Sequence, residues 1–397
     1  MKILFIHNTY QQRGGEDVIF ENESELMESH GHSVERLLFD NHQIKTGLDK
    51  FLTGVKSLYN FESAKIVEAV IKNFSPDLIH VHNLFPIASP SILYVADKYK
   101  IPVVLSIHNY RLICPSATLL HTGKIYEKSI HSIFPLDAIV KGVYRGSKIQ
   151  TASAVLMTGT HKLLGTWKNK VTRYIVMSQF AKNKFLDSSL NVAEEKWSIK
   201  PNFSPDMGVG DTARENSFLF IGRLTAEKGI ETLLEAARIT GFNLEILGDG
   251  PMREVVENYA SQHQNIVYAG FKQKQEIIQA LKKCKALLFP SVWYEGFPMT
   301  ILEAFSVGTP VISSKLGAMV EMIEDQGNGL HVKPGDVEDL VEKMRLLTTQ
   351  PDLARILGKN ARCTYEDKYA PEKNYEQLLA IYLQVIEAKK QMKYEAV

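Results

Sequence analysis

Two carboxylates stand eight positions apart in the segment FPSVWYEGFPMTILEAFSVG, which runs from Phe289 to Gly308: Glu295 and Glu303. Glu303 sits among Ile301, Leu302, Ala304 and Phe305, where an unpartnered carboxylate would cost several kcal/mol to bury, so a polar partner or a ligand is expected. Gly296 lets the backbone bend, and Pro298 has the φ that suits the first position of a helix. Glu295 is then expected in a loop and Glu303 inside the helix that follows. Between them the free N–H groups of the helix start form an anion site that needs no particular side chain. A molecule with hydroxyls at both ends and phosphate in the middle, such as a nucleotide sugar, fits that layout.

Other polar residues fall where strands should end. Arg223 follows SFLFIG and Lys228 follows the loop LTAE, so two cations stand where a pyrophosphate could lie, each contact contributing about 1.5 to 3 kcal/mol. Gly14 and Gly15 precede a helix that begins with Glu16 and Asp17, a place where backbone could approach a phosphate, although the GxGxxG pattern is missing. GDGP at 248–251 has the form of a structural tight turn. His108 closes VVLSIHN, with Asn109 beside it, and His80, His82 and Asn83 lie in DLIHVHN, so imidazoles are expected to converge at neighbouring strand ends. No HxxxH or HExxH pair and no Asp-x-Asp occurs, and we expect no metal and no cofactor.

The elements that would position these groups follow from hydrophobic periodicity. The runs 2–8, 77–83, 103–109 and 173–178 have the low internal polarity of strands buried on both faces, with helical segments near 15–30, 61–73 and 88–99 between them. A fresh alternation starts at 217–222 and continues through 243–250, 265–270, 286–291 and 310–314. Both halves are therefore expected to be Rossmann-like α/β units that face each other across a cleft, with ligands beyond the carboxyl ends of the strands. We assign residues 1–200 to an acceptor-side domain, 201–216 to a linker, 217–370 to a donor domain, and 371–397 to a helix returning towards the first domain.

At 397 residues and 45% hydrophobic composition the chain is long enough for two cores, and its net charge of +1 argues against a nucleic-acid binder. Cys114, Cys284 and Cys363 match no disulfide framework or zinc spacing, which suits a reducing cytoplasm. The start MKILFIHNTY has the character of a buried strand rather than a leader, and no apolar run is long enough to span a bilayer. Between Asp137 and Asp187 there is no acidic residue, while Lys141, Arg145, Lys148, Lys162, Lys168, Lys170, Arg173, Lys182 and Lys184 mix with Tyr144, Leu156, Leu163, Leu164 and Trp167. Three readings stay open for 141–184: contact with anionic lipid, contact with an anionic acceptor, and an ordinary basic surface whose apolar residues pack inward.

EGFPMTILEAFSVGTPVI, GRLTAEKGI and SIHNYRLICP together resemble the retaining nucleotide-sugar glycosyltransferases of family 4, of GT-B fold, over nearly the whole chain. The resemblance implies that Glu303 binds ribose hydroxyls and Glu295 the hydroxyls of the transferred sugar. It implies that Arg223 and Lys228 hold the diphosphate with Gly15 behind it, and that Gly296, Phe297, Pro298, Met299 and Thr300 line sugar and phosphate through their backbone. Phe271 and Lys272 would meet the base, and His108 would stand near the reacting sugar. Catalytic candidates are thus His108, Glu295, Arg223 and Lys228; His82, Asn83 and Asn109 are candidates on the acceptor side. The implied reaction is front-face transfer with retention and without metal, from a UDP- or GDP-sugar to a lipid-linked or polysaccharide acceptor at the cytoplasmic face of a membrane. Some relatives carry Cys-x-x-Cys where this chain has Tyr126, Glu127, Lys128 and Ser129, so no thiol-dependent feature is expected there. The alternatives are an epimerase or hydrolase on the same fold, and a non-catalytic nucleotide-binding membrane scaffold.

Overall fold

The computed structural model describes residues 1–9, 14–41, 54, 56–210 and 214–395. They group into two compact units, one of residues 1–121, 126–200 and 375–397, the other of 122–125 and 201–374.

The first unit carries a six-stranded sheet in the order Ser33–Asp40, Lys2–Thr9, Leu78–Val81, Val103–Ser106, Arg173–Val176 and Trp197–Ile199, every pair parallel. Its central strands are buried along their whole length, as expected of apolar runs covered by helices on both faces. Ser33–Asp40 escapes a search for apolar runs because it is an edge strand whose residues alternate between exposed and half-buried along most of its length. The strand containing Val103 ends at Ser106, so His108 lies two residues beyond it rather than at its last position.

The second sheet runs Ile266–Gly270, Asn243–Leu247, Ser217–Ile221, Ala286–Phe289, Val311–Ser314 and Gly329–Val332, again all parallel. In chain order this is 3-2-1-4-5-6, and its direction of growth reverses between Ser217–Ile221 and Ala286–Phe289. In the first sheet the reversal falls between Lys2–Thr9 and Leu78–Val81. Such switch points leave a crevice beyond the carboxyl ends of the two strands because their following loops diverge to opposite faces. They single out the segments after Ile221 and Phe289 in one unit, and those after Thr9 and Val81 in the other.

The stretch 201–216, of which 211–213 lie outside the described residues, packs as part of the second unit. Asp206 takes two hydrogen bonds from Arg362, at 2.7 and 2.8 Å, and the Arg214 guanidinium donates to Thr309 Oγ1 at 2.7 Å and to the Gly308 carbonyl at 2.8 Å. The chain ends in the helix Pro371–Glu395, whose residues from Tyr375 onward belong to the first unit. Tyr382 is fully buried there and its hydroxyl lies 2.6 Å from His80 Nδ1.

The first unit also buries a full ion pair, Lys200 Nζ to Glu23 Oε1 at 2.6 Å, with neither side chain reaching solvent. Burial works to raise the Glu23 carboxyl, but Lys200 and His80 outweigh it and hold the group below its ordinary value. Removing one partner of such a pair strands a buried charge at a cost of about 3–5 kcal/mol, whereas replacing both with apolar groups of similar volume is close to neutral. Lys200→Met is expected to lose about 3–5 kcal/mol in urea unfolding, and Glu23→Leu with Lys200→Met to recover most of that loss.

Candidate functional site

In the second unit the loop 223–229 and the loop 290–298 leave adjacent strands at the switch point. Gly229 has φ +73°, a backbone conformation a side chain resists, and a Cβ there would collide with the Pro290 carbonyl oxygen. The Val292 N–H donates to the Glu227 carbonyl at 2.9 Å, closing the loops on each other. A second close approach supports the first: Gly248, at φ +138°, packs on the Gly222 carbonyl, and the Leu224 N–H donates to the Asp249 carbonyl at 3.0 Å. GDGP thus braces the loop carrying Arg223, and the helix Arg253–Gln262 follows the turn.

This bracing brings Lys228 and Glu295 together. Oε1 of Glu295, nearly buried, accepts from Lys228 Nζ at 2.7 Å, from Ser291 Oγ at 2.6 Å and from Trp293 Nε1 at 2.8 Å. Nζ also lies 5.4 Å from the Phe289 ring centroid and 5.6 Å from that of Trp293, on aromatic rings that favour a cation. The sequence suggested separate duties for Lys228 and Glu295; the structure makes them one ion pair, with two supporting donors that no motif had singled out. Arg223 is exposed and has no ion-pair partner among the described residues.

The helix Met299–Ser306 starts one residue later than Pro298 suggested: Pro298 is its N-cap, with φ −69° and ψ 116°, and supplies no side-chain hydrogen bond. The first N–H groups of the helix, at Met299 and Thr300, are therefore uncapped by any side chain. Phe297 turns inward, its ring 5.9 Å from that of Tyr369 in an edge-on contact.

Glu303 lies inside the helix, as its setting predicted, and its carboxylate has no hydrogen-bond partner among the described residues. Burial pushes it up to about 7, with Lys274 pulling the other way. Lys274 opens the helix Lys274–Lys283, which packs against Met299–Ser306. Just before it, Phe271 projects into solvent and Lys272 pairs with Glu276 at 2.9 Å.

In the first unit, Gly14 caps the helix Gly15–Ser29, with its N–H donating to Asp17 Oδ2 at 2.7 Å. Asp17 Oδ1 meets His7 Nε2 at 2.9 Å, so Asp17 ties Gly14 to the strand residue His7. An open pocket is lined by Glu16, His82, Asn83, His108, Asn109 and Arg111 among others. All three acceptor-side candidates and His108 therefore share one pocket, but not as equals. His82 is 2% exposed and Asn83 is 6% exposed, with Asn83 Nδ2 donating to the Asn8 carbonyl and Oδ1 accepting from the Phe85 N–H. Both are committed to the wall. Asn109 donates to Glu16 Oε1 at 3.0 Å. His80, expected to converge with them, is instead wholly buried between Tyr382 and Ser106.

The basic stretch divides. Trp167 is core, with Nε1 donating to the Thr158 carbonyl, and Lys170, Lys182 and Lys184 pair with Asp97, Glu194 and Glu127. Lys162 is held down at about 8 by burial. Ile149, Leu156 and Leu163, seven apart on the helix Lys148–Leu163 and so on one face, are 75%, 50% and 65% exposed. Leu164, and Leu136 and Val140 on the neighbouring helix Leu136–Lys141, are exposed as well, with Arg145, Lys148 and Lys168 also at the surface.

Residues 209–364 match the family model described as glycosyl transferases group 1. Over 328 residues the chain is 27% identical to an uncharacterised glycosyltransferase of Methanocaldococcus jannaschii, covering 82% of this chain and 80% of that one. It is 25% identical to the O-antigen chain mannosyltransferase C of Escherichia coli, covering 81% and 91%. Among solved structures it resembles Anabaena HepE in complex with UDP, with a TM-score of 0.67 at 16% identity, covering 97% of this chain and 100% of that one. The fold is that of the GT-B glycosyltransferases. The matched segment holds Arg223, Lys228, Glu295 and Glu303.

A ligand whose hydroxyls donate to both Glu303 oxygens favours the ionised form, so binding releases a proton wherever the free protein holds one. Affinity for UDP is expected to fall as pH drops from about 7 towards 5 and to level off above 7. Because the terminal phosphate of UDP titrates at about 6 as well, calorimetry on Glu303→Gln supplies the baseline. Parallel pH profiles in the two proteins would remove Glu303 from the nucleotide contact.

Proposed function

We propose that the protein transfers a sugar, with retention of anomeric configuration, from a nucleoside diphosphate sugar to a lipid-linked or growing polysaccharide acceptor at the cytoplasmic face of a membrane. One observation carries the donor assignment: Glu303, without a hydrogen-bond partner among the described residues and raised to about 7, stands in the same short segment as Glu295, the partner of Lys228. A lone carboxylate of this kind suits the vicinal hydroxyls of a ribose, and the uncapped helix start at Met299 together with Arg223 suits the diphosphate.

As the bond between the anomeric carbon and the phosphate oxygen breaks, negative charge grows on the diphosphate. Arg223, Lys228 and the helix start stabilise it in the place a metal would otherwise take. The acceptor oxygen bonds to the anomeric carbon on the face the phosphate leaves, and its proton passes to the departing phosphate oxygen. Glu295, which orients Lys228 through Oε1, meets a hydroxyl of the transferred sugar. UDP is the favoured nucleotide, since the similar HepE binds it, and O-antigen synthesis in the related mannosyltransferase supports a cell-surface glycan as product.

The exposed apolar row Ile149, Leu156 and Leu163, with Arg145, Lys148 and Lys168, suits an anionic membrane carrying the acceptor. No helix among the described residues is long and apolar enough to cross a bilayer.

Incubation with UDP-, GDP- and ADP-sugars plus a lipid-linked acceptor is expected to release diphosphate from one donor and to yield a product of unchanged anomeric configuration by NMR. Arg223→Ala is expected to lower turnover by about 10- to 100-fold and Glu295→Gln to abolish most of it with the fold intact. Full activity in both would reject the assignment, and product formed without acceptor would favour a hydrolase or epimerase.

In liposome flotation the protein is expected to bind anionic vesicles in preference to neutral ones. Arg145→Glu and Lys148→Glu should each weaken binding by about 1 kcal/mol or more. Equal recovery from both vesicle types would remove the membrane from the proposal.

A further inference from the structure

The wall of the first unit's pocket contains a line of polar contacts that leads inward from His108. His108 Nε2 lies within hydrogen-bond reach of His82 Nδ1 at 3.1 Å; His82 Nε2 lies 3.4 Å from Glu23 Oε2, an electrostatic contact in which neither atom has a hydrogen-bond partner among the described residues, while Lys200 occupies the other Glu23 oxygen at 2.6 Å. Glu23, Lys200 and His82 are buried, and His108 borders the pocket. The Nδ1 atom of His108 has no hydrogen-bond partner among the described residues.

We infer that Glu23, acting through His82, fixes His108 as the tautomer protonated on Nε2, so that Nδ1 offers a lone pair as a hydrogen-bond acceptor to a hydroxyl of the bound saccharide. An ionised carboxylate only accepts, so the His82 nitrogen facing it must carry hydrogen; two lone pairs at that distance in a dry interior would repel. A neutral imidazole has one N–H, which leaves His82 Nδ1 as an acceptor. His108 Nε2 must then be the donor across the 3.1 Å contact. Its remaining nitrogen, Nδ1, is bare.

The charges around the line agree with this assignment. Burial, then His108, His7 and Lys200, keep His82 well below the ordinary histidine value, and burial holds His108 down at about 3, with Glu23 opposing. Both rings are therefore neutral at physiological pH, as one proton per ring requires.

Glu23, His80 and His82 are close enough to suggest a metal site, their ligand atoms lying within 4.8 Å of one another. Lys200 already supplies a cation on Glu23, and the two nitrogens of His80 meet Tyr382 and Ser106. The cluster is better suited to directing protons than to holding a second cation. Glu23 is a positioning residue, acting on the pocket only through His82.

The proposal rests on the saccharide-transfer reading only for the identity of the hydroxyl. Nitrogen-15 NMR of the whole protein labelled at histidine, with His108 assigned from the resonances lost in His108→Gln, reads the tautomer directly. His108 Nε2 should resonate as a protonated ring nitrogen and Nδ1 as a bare one. A His108 protonated on Nδ1 in the unaltered protein overturns the inference, and needs no variant to detect.

Glu23→Leu with Lys200→Met removes the acceptor together with its buried counterion and should reverse the two signatures. Glu23→Gln with Lys200→Met restores an acceptor oxygen and should restore the original pattern. Unchanged spectra in the Leu/Met protein would overturn the role of Glu23. Failure of sugar transfer with the tautomer intact would count against the function alone.

Discussion

Everything in the second unit's candidate site depends on one contact: the Gly229 backbone against the Pro290 carbonyl. Two strands that neighbour each other at the point of sheet reversal send out loops that would otherwise diverge. A residue without a side chain lets them touch, and the Val292 N–H to Glu227 bond holds them together. Only then can Lys228 reach Glu295, and only then do Ser291 and Trp293 converge on the same oxygen. The ion pair is thus a product of backbone packing, and Arg223, on the same loop as Lys228, stays exposed.

The two units treat buried charge in opposite ways. In the first, Glu23 is fully compensated by Lys200, and that compensation lets the carboxylate stay ionised in the interior. In the second, Glu303 is half-buried with no partner close enough to bond, and its proton is correspondingly hard to remove. A compensated carboxylate organises its surroundings; an uncompensated one waits for something else to bring the donors.

Apolar runs buried on both faces made the parallel sheets legible from the sequence, because a strand covered by helices needs no alternation. The edge strand Ser33–Asp40 and the short Trp197–Ile199 were not legible, since their burial depends on which neighbours pair with them. Glu295, Glu303, Arg223 and Lys228 stood out through spacing, and His108 through its place near a strand end. Their partners did not: nothing local marks Ser291 or Trp293 as donors to Glu295. The 177 positions separating Glu23 from Lys200 hide that pair completely. The histidines show the limit most clearly. Strand periodicity placed His80 and His82 near His108, but could not reveal that the first is wholly buried and the second forms only the wall.

The return of the last helix also sets an order of events. Residues from Tyr375 onward complete the first unit, with Tyr382 seated beside His80 in its core. A ribosome would finish every residue of the second unit before releasing the segment that closes the first. The half made earliest must therefore hold an unfilled groove throughout translation. Removing residues from Tyr375 onward would injure the first unit before the second.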